Sequence, residues 1–375
     1  MKKMNMKRNT DTLRNDEKTN NRALIAMSGG VDSSVAAALM KERGYDCIGV
    51  TMKLYDNGEI GVDTEKTCCS LDDIEDARSV ASKIGIPYYV FNFRDDFEEL
   101  VIKRFVEAYE QGLTPNPCID CNRFIKFKRL FLRARELGCD SVATGHYARV
   151  EKDEKSGRYV LKKAVDSGKD QSYVLYSLTQ DQLAMLKLPL GDYKKSEARS
   201  LAEELGFVNA AKKDSQDICF VPDGDYAGFI SGYTGKDYPP GDFLDTDGNV
   251  IGTHEGIIRY TIGQRKGLKG NFKRPAYVCA KDAEKNSVTL GENDDLFSRE
   301  LHANDINLIT CERIEGQMRV SAKVRYSQPE QPAVVTQEGD DLLRIVFEKP
   351  QRAVTKGQAV VLYDGETVVG GGTIV

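Results

Sequence analysis

The chain of 375 residues carries 53 Lys and Arg against 58 Asp and Glu, a formal net charge of −5, so bulk charge by itself points to no nucleic-acid partner. That length suits two or three domains that each bury a core. No apolar run reaches the ~20 residues of a bilayer span, and residues 1–21 are charged without an apolar h-region, which argues against a membrane role or secretory leader and predicts a disordered tail there.

In chain order, RALIAM (22–27) reads as a buried strand, VDSSVAAALMKERG (31–44) as a helix ended by Gly44, and DCIGVTM (46–52) as a second strand. A helix over 70–85 and a strand over 87–93 follow. Helices over 95–112 and 121–138 flank a short loop, and CDSVATG (139–145) is one more strand. Strand and helix in alternation predict an α/β domain over 22–210 with a doubly wound parallel sheet, whose ligands sit at the carboxyl ends of the strands. A smaller central domain is expected over 211–300, with a hairpin at FLDTDGNVIGTH (243–254). From about residue 303 the text alternates residue by residue between turn signals, which predicts a small β-barrel-like domain over 301–375.

The first strand runs into AMSGGVDSS, from Ala26 and Met27 through Ser28, Gly29, Gly30, Val31 and Asp32 to Ser33 and Ser34. Glycines let the backbone curl round an anion, and a helix N-terminus aims N–H groups at it. Ser33 and Ser34 add hydroxyl donors, and Asp32 is placed to hold a Mg2+ ion against phosphates. Met52 and Gly145, at the ends of two other strands, lie along the same carboxyl edge and are candidates for the adenine and ribose wall. In this strand-turn-helix setting SGGVDSS resembles the loop of the PP-loop ATP pyrophosphatases, which split ATP between its α and β phosphates. No GxxxxGK[ST] is present, which disfavours the kinase type of P-loop.

That resemblance implies an adenylated substrate, with a carbonyl oxygen activated by AMP, and an adenylated carbonyl needs an attacking group. The nine cysteines, at irregular spacing in a chain large enough to fold without staples, fit a reducing cytoplasm and reactive roles better than a disulfide framework. TPNPCIDCNRFIKF (114–127) sets Cys118 and Cys121 three apart behind two prolines, and KKDSQDICF sets Cys219 in a polar segment near Lys212 and Lys213, a setting that favours thiolate. Cys47, Cys139 and Cys279 fall inside apparent strands and read as small apolar fillers. Cys68 and Cys69 form a vicinal pair with no assigned role. Two runs, residues 122–135 and 259–274, each hold six Lys or Arg and no acid, and either can follow a phosphate backbone or serve as a solvated face.

On SGGVDSS, TPNPCIDCNRFIKFK, ATGHYAR, GKDQSYVLYSL, KKDSQDICF and YTIGQRKGL, in that order, the chain from residue 22 onward resembles the tRNA-specific 2-thiouridylases. The resemblance implies ATP-dependent adenylation of the C2 oxygen of the wobble uridine of tRNA, followed by replacement of that oxygen with sulfur from a cysteine persulfide. It implies Cys121 as nucleophile and Cys219 as persulfide carrier, loaded by a cysteine desulfurase or a sulfur-relay protein. It sets Asn116, Pro117 and Cys118 beside the target base, and makes His146, Lys169, Asp170, Gln171, Arg325, Tyr326 and Gln358 tRNA contacts. The family commonly has aspartate where this chain has Cys118. Either that role is dispensable, or Asp120 or a water takes it over, or the chemistry differs. Cys118, Cys121 and Cys219 could also ligate an iron-sulfur cluster with an open iron. Two other classes compete: a PP-loop ligase or amidotransferase for a small molecule, for which the chain shows no glutaminase-like segment, and a non-catalytic RNA-binding protein, against which the intact loop argues.

Overall fold

The computed structural model describes residues 21–55, 71–214, 218–268 and 274–375. Apart from Asn21, the expected tail lies outside the described residues, as do Cys68, Cys69, Lys269 and Lys273.

Five strands build the first sheet: β1 (Arg22–Ala26), β2 (Asp46–Lys53), β3 (Tyr88–Asn92), β4 (Ser141–Ala143) and, after a hairpin of β5 (Arg149–Lys152) and β6 (Tyr159–Lys162), the short β7 (Leu186–Lys187). Their spatial order is β3-β2-β1-β4-β7, and all four pairings are parallel. The chain winds from β1 to β2 and β3 on one side, then crosses back to β4 on the other. The crevice between the carboxyl ends of β1 and β4 is therefore the topological switch point, where such sheets bind ligands.

Alternate residues of β1 serve two core layers. Ala23 and Ile25 pack with α1 (Val31–Glu42) and α2 (Leu71–Ile84), while Leu24 and Ala26 pack with the helical residues 94–136 on the opposite face. Burial on both faces explains the continuous apolar runs, each Leu, Ile or Val contributing roughly 1.5–3 kcal/mol. The helices expected over 95–112 and 121–138 are present with π-helical stretches at Glu98–Ile102 and Cys121–Arg129. Periodicity did not anticipate these, because a π turn adds one residue while leaving the apolar face largely in place.

The central sheet comprises β8 (Gly241–Leu244), β9 (Val250–His254), β10 (Tyr277–Asp282) and β11 (Ser287–Gly291) in the order β10-β11-β8-β9. Its β8–β9 pair is the expected hairpin, turning through Gly248 at φ +87°. Six further strands follow: β12 (Phe297–Leu308), β13 (Gln317–Lys323), β14 (Gln331–Gln337), β15 (Leu343–Arg352), β16 (Ala359–Asp364) and β17 (Thr367–Ile374). Pairing of β12 with both β15 and β17 closes them into a barrel. The β5–β6 hairpin joins the outside of this barrel through β6–β17, which the sequence reading missed, as it missed most of β12. Both are polar strands: in β12 only Leu301 and Ala303 are fully buried.

Candidate functional site

The loop from β1 to α1 is shaped by close backbone approach. Gly29 has φ +75°, and a Cβ there would stand 2.4 Å from the carbonyl oxygen of Asp73 at the start of α2. Gly145 lies flat against the first turn of α1, where a Cβ would fall 2.7 Å from both Asp32 C and Ser33 N. Only glycine fits at either position, so the carboxyl ends of β1 and β4 close on each other at the switch point. Ala26 and Met27 are buried, Val31 is buried in α1, and Ser28 is exposed at the lip. Met52 is half-buried against the core at the end of β2.

The loop's hydroxyls point largely inward. Ser33 and Ser34 each donate to Gly30 O at 3.0 Å, and Ser28 N donates to Ser33 Oγ at 3.1 Å. Asn209 Nδ2 reaches Gly29 O at 2.8 Å and Ser34 Oγ at 2.9 Å, bracing the loop from a distant segment.

Asp32 opens a chain of charges. Its carboxylate accepts from Lys195 Nζ at 2.7 and 2.8 Å and from the Tyr147 hydroxyl at 2.7 Å. Lys195 also lies 2.8 Å from Asp214, which receives Lys169 at 2.9 Å and Arg199 at 2.8 Å. Against partial burial, which raises it, Lys195 and Lys169 hold the Asp214 carboxyl down at about 2. Lys169, a residue expected to touch tRNA, is thereby wired to the nucleotide loop. A second link runs through Gln171, whose backbone and side chain pair with the backbone of Tyr147 at 2.8 and 2.9 Å.

As a ligand for Mg2+, Asp32 offers one carboxylate, a number that suits magnesium when phosphates and water fill the remaining positions. Among the described residues no group of three or more His, Cys, Asp or Glu side chains is placed to hold a metal. Cys118, Cys121 and Cys219 are therefore not gathered as cluster ligands in this structure.

The cysteine loop begins at Asn116, whose side chain accepts from Cys118 N at 3.1 Å and caps a short helix that has Pro117 at its first position. Cys118 is exposed, Cys121 is buried, and Asn122 donates to Val174 O at 3.1 Å. Helical spacing puts Cys118, Cys121 and Asn122 on one face and Asp120 on another. Asp120 lies 3.6 Å from Arg104, and burial lifts its carboxyl to about 6 against the pull of Arg104 and Arg123. Cys219 is half-buried; its carbonyl accepts from Tyr55 at 2.8 Å, and the next residue, Phe220, sits among Phe97, Phe105 and Phe229. Cys121 belongs to a core cluster against which Cys219 packs, and neither is in a disulfide. Of the two lysines expected near Cys219, Lys212 and Lys213, the first gives its ammonium to Asp73 at 2.6 Å and Asp76 at 2.7 Å.

Of the expected tRNA contacts, Gln358 bonds to this loop and Tyr326 lies near Cys118, whereas His146 and Arg325 make their hydrogen bonds elsewhere. Tyr326 is exposed and donates to Asp170 O at 3.2 Å, with Cys118 nearby. The Asp170 carboxylate itself accepts from Ala164 N at 3.0 Å and Ser172 Oγ at 2.7 Å. Gln358 donates to Thr114 O at 2.7 Å. His146 pairs with Thr144 at 2.8 Å, and burial, with Lys126 nearby, pushes its imidazole pKa well below the usual value. Arg325 is turned inward, donating to Ile262 O, Ala353 O and Thr355 Oγ1.

The chain matches family models described as tRNA methyl transferase HUP domain over residues 21–223, tRNA methyl transferase PRC-barrel domain over 227–292 and aminomethyltransferase beta-barrel domain over 298–374. A tRNA-specific 2-thiouridylase of Clostridioides difficile is 54% identical over 355 residues, 95% of this chain and 98% of its own. Those of a Thermoanaerobacter species and of Acetivibrio thermocellus are 54% and 52% identical, covering 95% and 94% of this chain and 98% and 99% of theirs. The chain belongs to the tRNA-specific 2-thiouridylase family. For this thiouridylase-family chain, sequence reasoning missed Lys195, Asp214, Tyr147 and Asn209. Tyr147 and Asp214 stand inside motifs already singled out, ATGHYAR and KKDSQDICF, whereas Lys195 and Asn209 carry no local signal and reach the loop only through the fold.

Proposed function

We propose that the protein is a tRNA-uridine 2-sulfurtransferase that uses ATP to thiolate the wobble uridine. The C2 oxygen attacks the α-phosphorus of ATP, pyrophosphate leaves, and the adenylated carbon becomes open to sulfur. The glycine loop cradles the phosphates, and Lys195 lies beside them to offset charge. Magnesium, when bound with ATP, would be held by Asp32 with phosphate and water ligands and would neutralise phosphate charge. The terminal sulfur of a Cys219 persulfide attacks C2, the C–O bond breaks, and AMP departs with the oxygen. Cys121 thiolate then attacks the Cys219 sulfur, freeing the thiolated base and leaving a Cys121–Cys219 disulfide that an external dithiol returns to two thiols. A cysteine desulfurase or sulfur-relay protein of the cytoplasm recharges Cys219.

The observation that carries this reading is an intact SGGVDSS loop at the switch point in one chain with two cysteines outside any disulfide, Cys121 inside a core cluster and Cys219 packed against it. The test is thiolation of an unmodified tRNA transcript with ATP and a persulfide donor, followed by nucleoside mass spectrometry. Sulfur gained by uridine, dependent on ATP, Cys121 and Cys219, is the expected result. No sulfur with the wild-type protein, or a methyl group transferred instead, would reject the reading.

A further inference from the structure

The loop carrying Cys118 and Cys121 is held at both ends by the C-terminal barrel. Ahead of it, Gln358 Nε2 donates to Thr114 O at 2.7 Å and Thr114 N donates to Lys356 O at 3.0 Å. Between them Gly357, at φ +88°, passes so close that a Cβ would stand 3.1 Å from Leu113 Cβ and from Thr114 N. Behind the loop, Arg123, two residues after Cys121, gives both guanidinium NH groups to the carboxylate of Asp305, one of them at 2.9 Å.

Asp305 occupies an unusual place. It sits where the β12–β17 register breaks between Asn304 and Asn307, with φ +49°, a left-handed conformation that Asp and Asn tolerate better than other side chains. Bulges of this kind re-aim a side chain out of the regular alternation, and here the carboxylate is aimed at the helix of the cysteine loop. The two side chains are 33% and 46% exposed, so the pair adds little to stability. Its two-pronged geometry, by contrast, fixes orientation.

We propose that Asp305 is a positioning residue: through Arg123 it orients the helical turn that presents Cys121, which makes the barrel part of the thiol-presenting apparatus. The inference rests on the reading of Cys121 as the attacking thiol. It also removes Arg123 from the phosphate-following role read from its basic run, since the guanidinium is occupied inside the molecule.

The test uses the full chain and an unmodified tRNA transcript with a wobble uridine. Asp305→Asn keeps the shape and tolerates the left-handed backbone, and Arg123→Met breaks the same bond from the helix side. Each is expected to lower kcat for thiolation about tenfold with KM for tRNA changed less than about twofold, and the double variant is expected to be no worse than either single one. Iodoacetamide alkylation of Cys121 should change rate by about threefold or more in both variants, while Cys219 alkylation stays as in wild type. Wild-type kcat and Cys121 alkylation in Asp305→Asn, additive losses in the double variant, or a loss carried wholly by KM would each overturn the proposal. If Asp305→Asn fails to fold, Arg123→Met alone decides by the same readouts. Full thiolation by Cys121→Ser would sink the reading of Cys121 instead, and the alkylation rates would still judge the clamp.

Discussion

Lys195 and Asp32 form an ion pair 2.7 Å long at the mouth of the nucleotide loop, and the same ammonium reaches Asp214 at 2.8 Å. Removing the carboxylate takes away the loop's own acidic side chain and leaves Lys195 to Asp214. Asp32→Ala is expected to cut tRNA-dependent pyrophosphate release about 100-fold or more, with the Kd for tRNA within about threefold of wild type. Pyrophosphate release at the wild-type rate would refute the assignment of Asp32.

The close approach of Gly145 to the first turn of α1 leaves no room for a methyl group. Gly145→Ala must push β4 away from Asp32 and Ser33, at a cost of about 1–3 kcal/mol. Urea denaturation should show that loss and pyrophosphate release should fall with it; an unchanged urea midpoint would show that the packing there is slack.

Of the cations in the 122–135 run, three are paired with a carboxylate: Arg123 with Asp305, Arg129 with Asp96 at 2.6 Å and Arg133 with Glu136 at 2.7 Å, while exposed Arg135 touches only the Met185 sulfur at 3.7 Å and keeps its charge. Lys126 and exposed Lys128 are the two lysines of the run. Neutralising both should weaken tRNA binding and flatten its log–log salt dependence by roughly 0.7 to 0.9 for each phosphate that a lysine no longer neutralises. Arg129→Ala, which breaks the Asp96 pair, should leave the slope alone. A flattening caused by Arg129→Ala and not by the lysines would reverse the assignment.

Asp120 makes stability depend on pH in a defined direction. Its native carboxyl titrates at about 6, against roughly 3.9 in an unfolded chain, so the folded state binds the extra proton between those values. This group's contribution to stability therefore falls as pH rises through that window and is lowest above it. Asp120→Asn should be more stable than wild type by about 1–3 kcal/mol near pH ~7.5, with no advantage near pH ~4. Denaturant unfolding at the two pH values decides; equal advantage at both would place the effect elsewhere.

Cys118 is exposed on the face that also carries Cys121, beside Tyr326, while Asp120 turns towards Arg104. If Cys118 merely fills the place for which the family resemblance implies aspartate, Cys118→Asp should thiolate tRNA at a rate within about threefold of wild type, whereas Cys121→Ser and Cys219→Ser should each lose about 1000-fold. Loss of activity in Cys118→Asp as deep as in Cys121→Ser would give Cys118 a chemical role of its own.

Local pattern alone determined the parallel α/β sheet, the glycine loop at its first turn, the cysteine loop and the alternating strands of the barrel. Each of these is written in neighbouring residues: continuous apolar runs for strands buried on both faces, glycines where backbone meets backbone, period-two alternation for a closed barrel. Tertiary structure alone decided which charges act and which are spent. Lys212 stands seven residues before Cys219 in the sequence, and its ammonium lies on Asp73 and Asp76. Lys195 carries no motif, yet lies on Asp32 across 163 residues. Asp305, in a polar stretch without pattern, reaches Arg123 across 182 residues because a bulge turns it there. The reason is physical: backbone preference and apolar periodicity act over a few residues, whereas an ion pair forms between whichever side chains the finished topology brings within a few ångströms of each other.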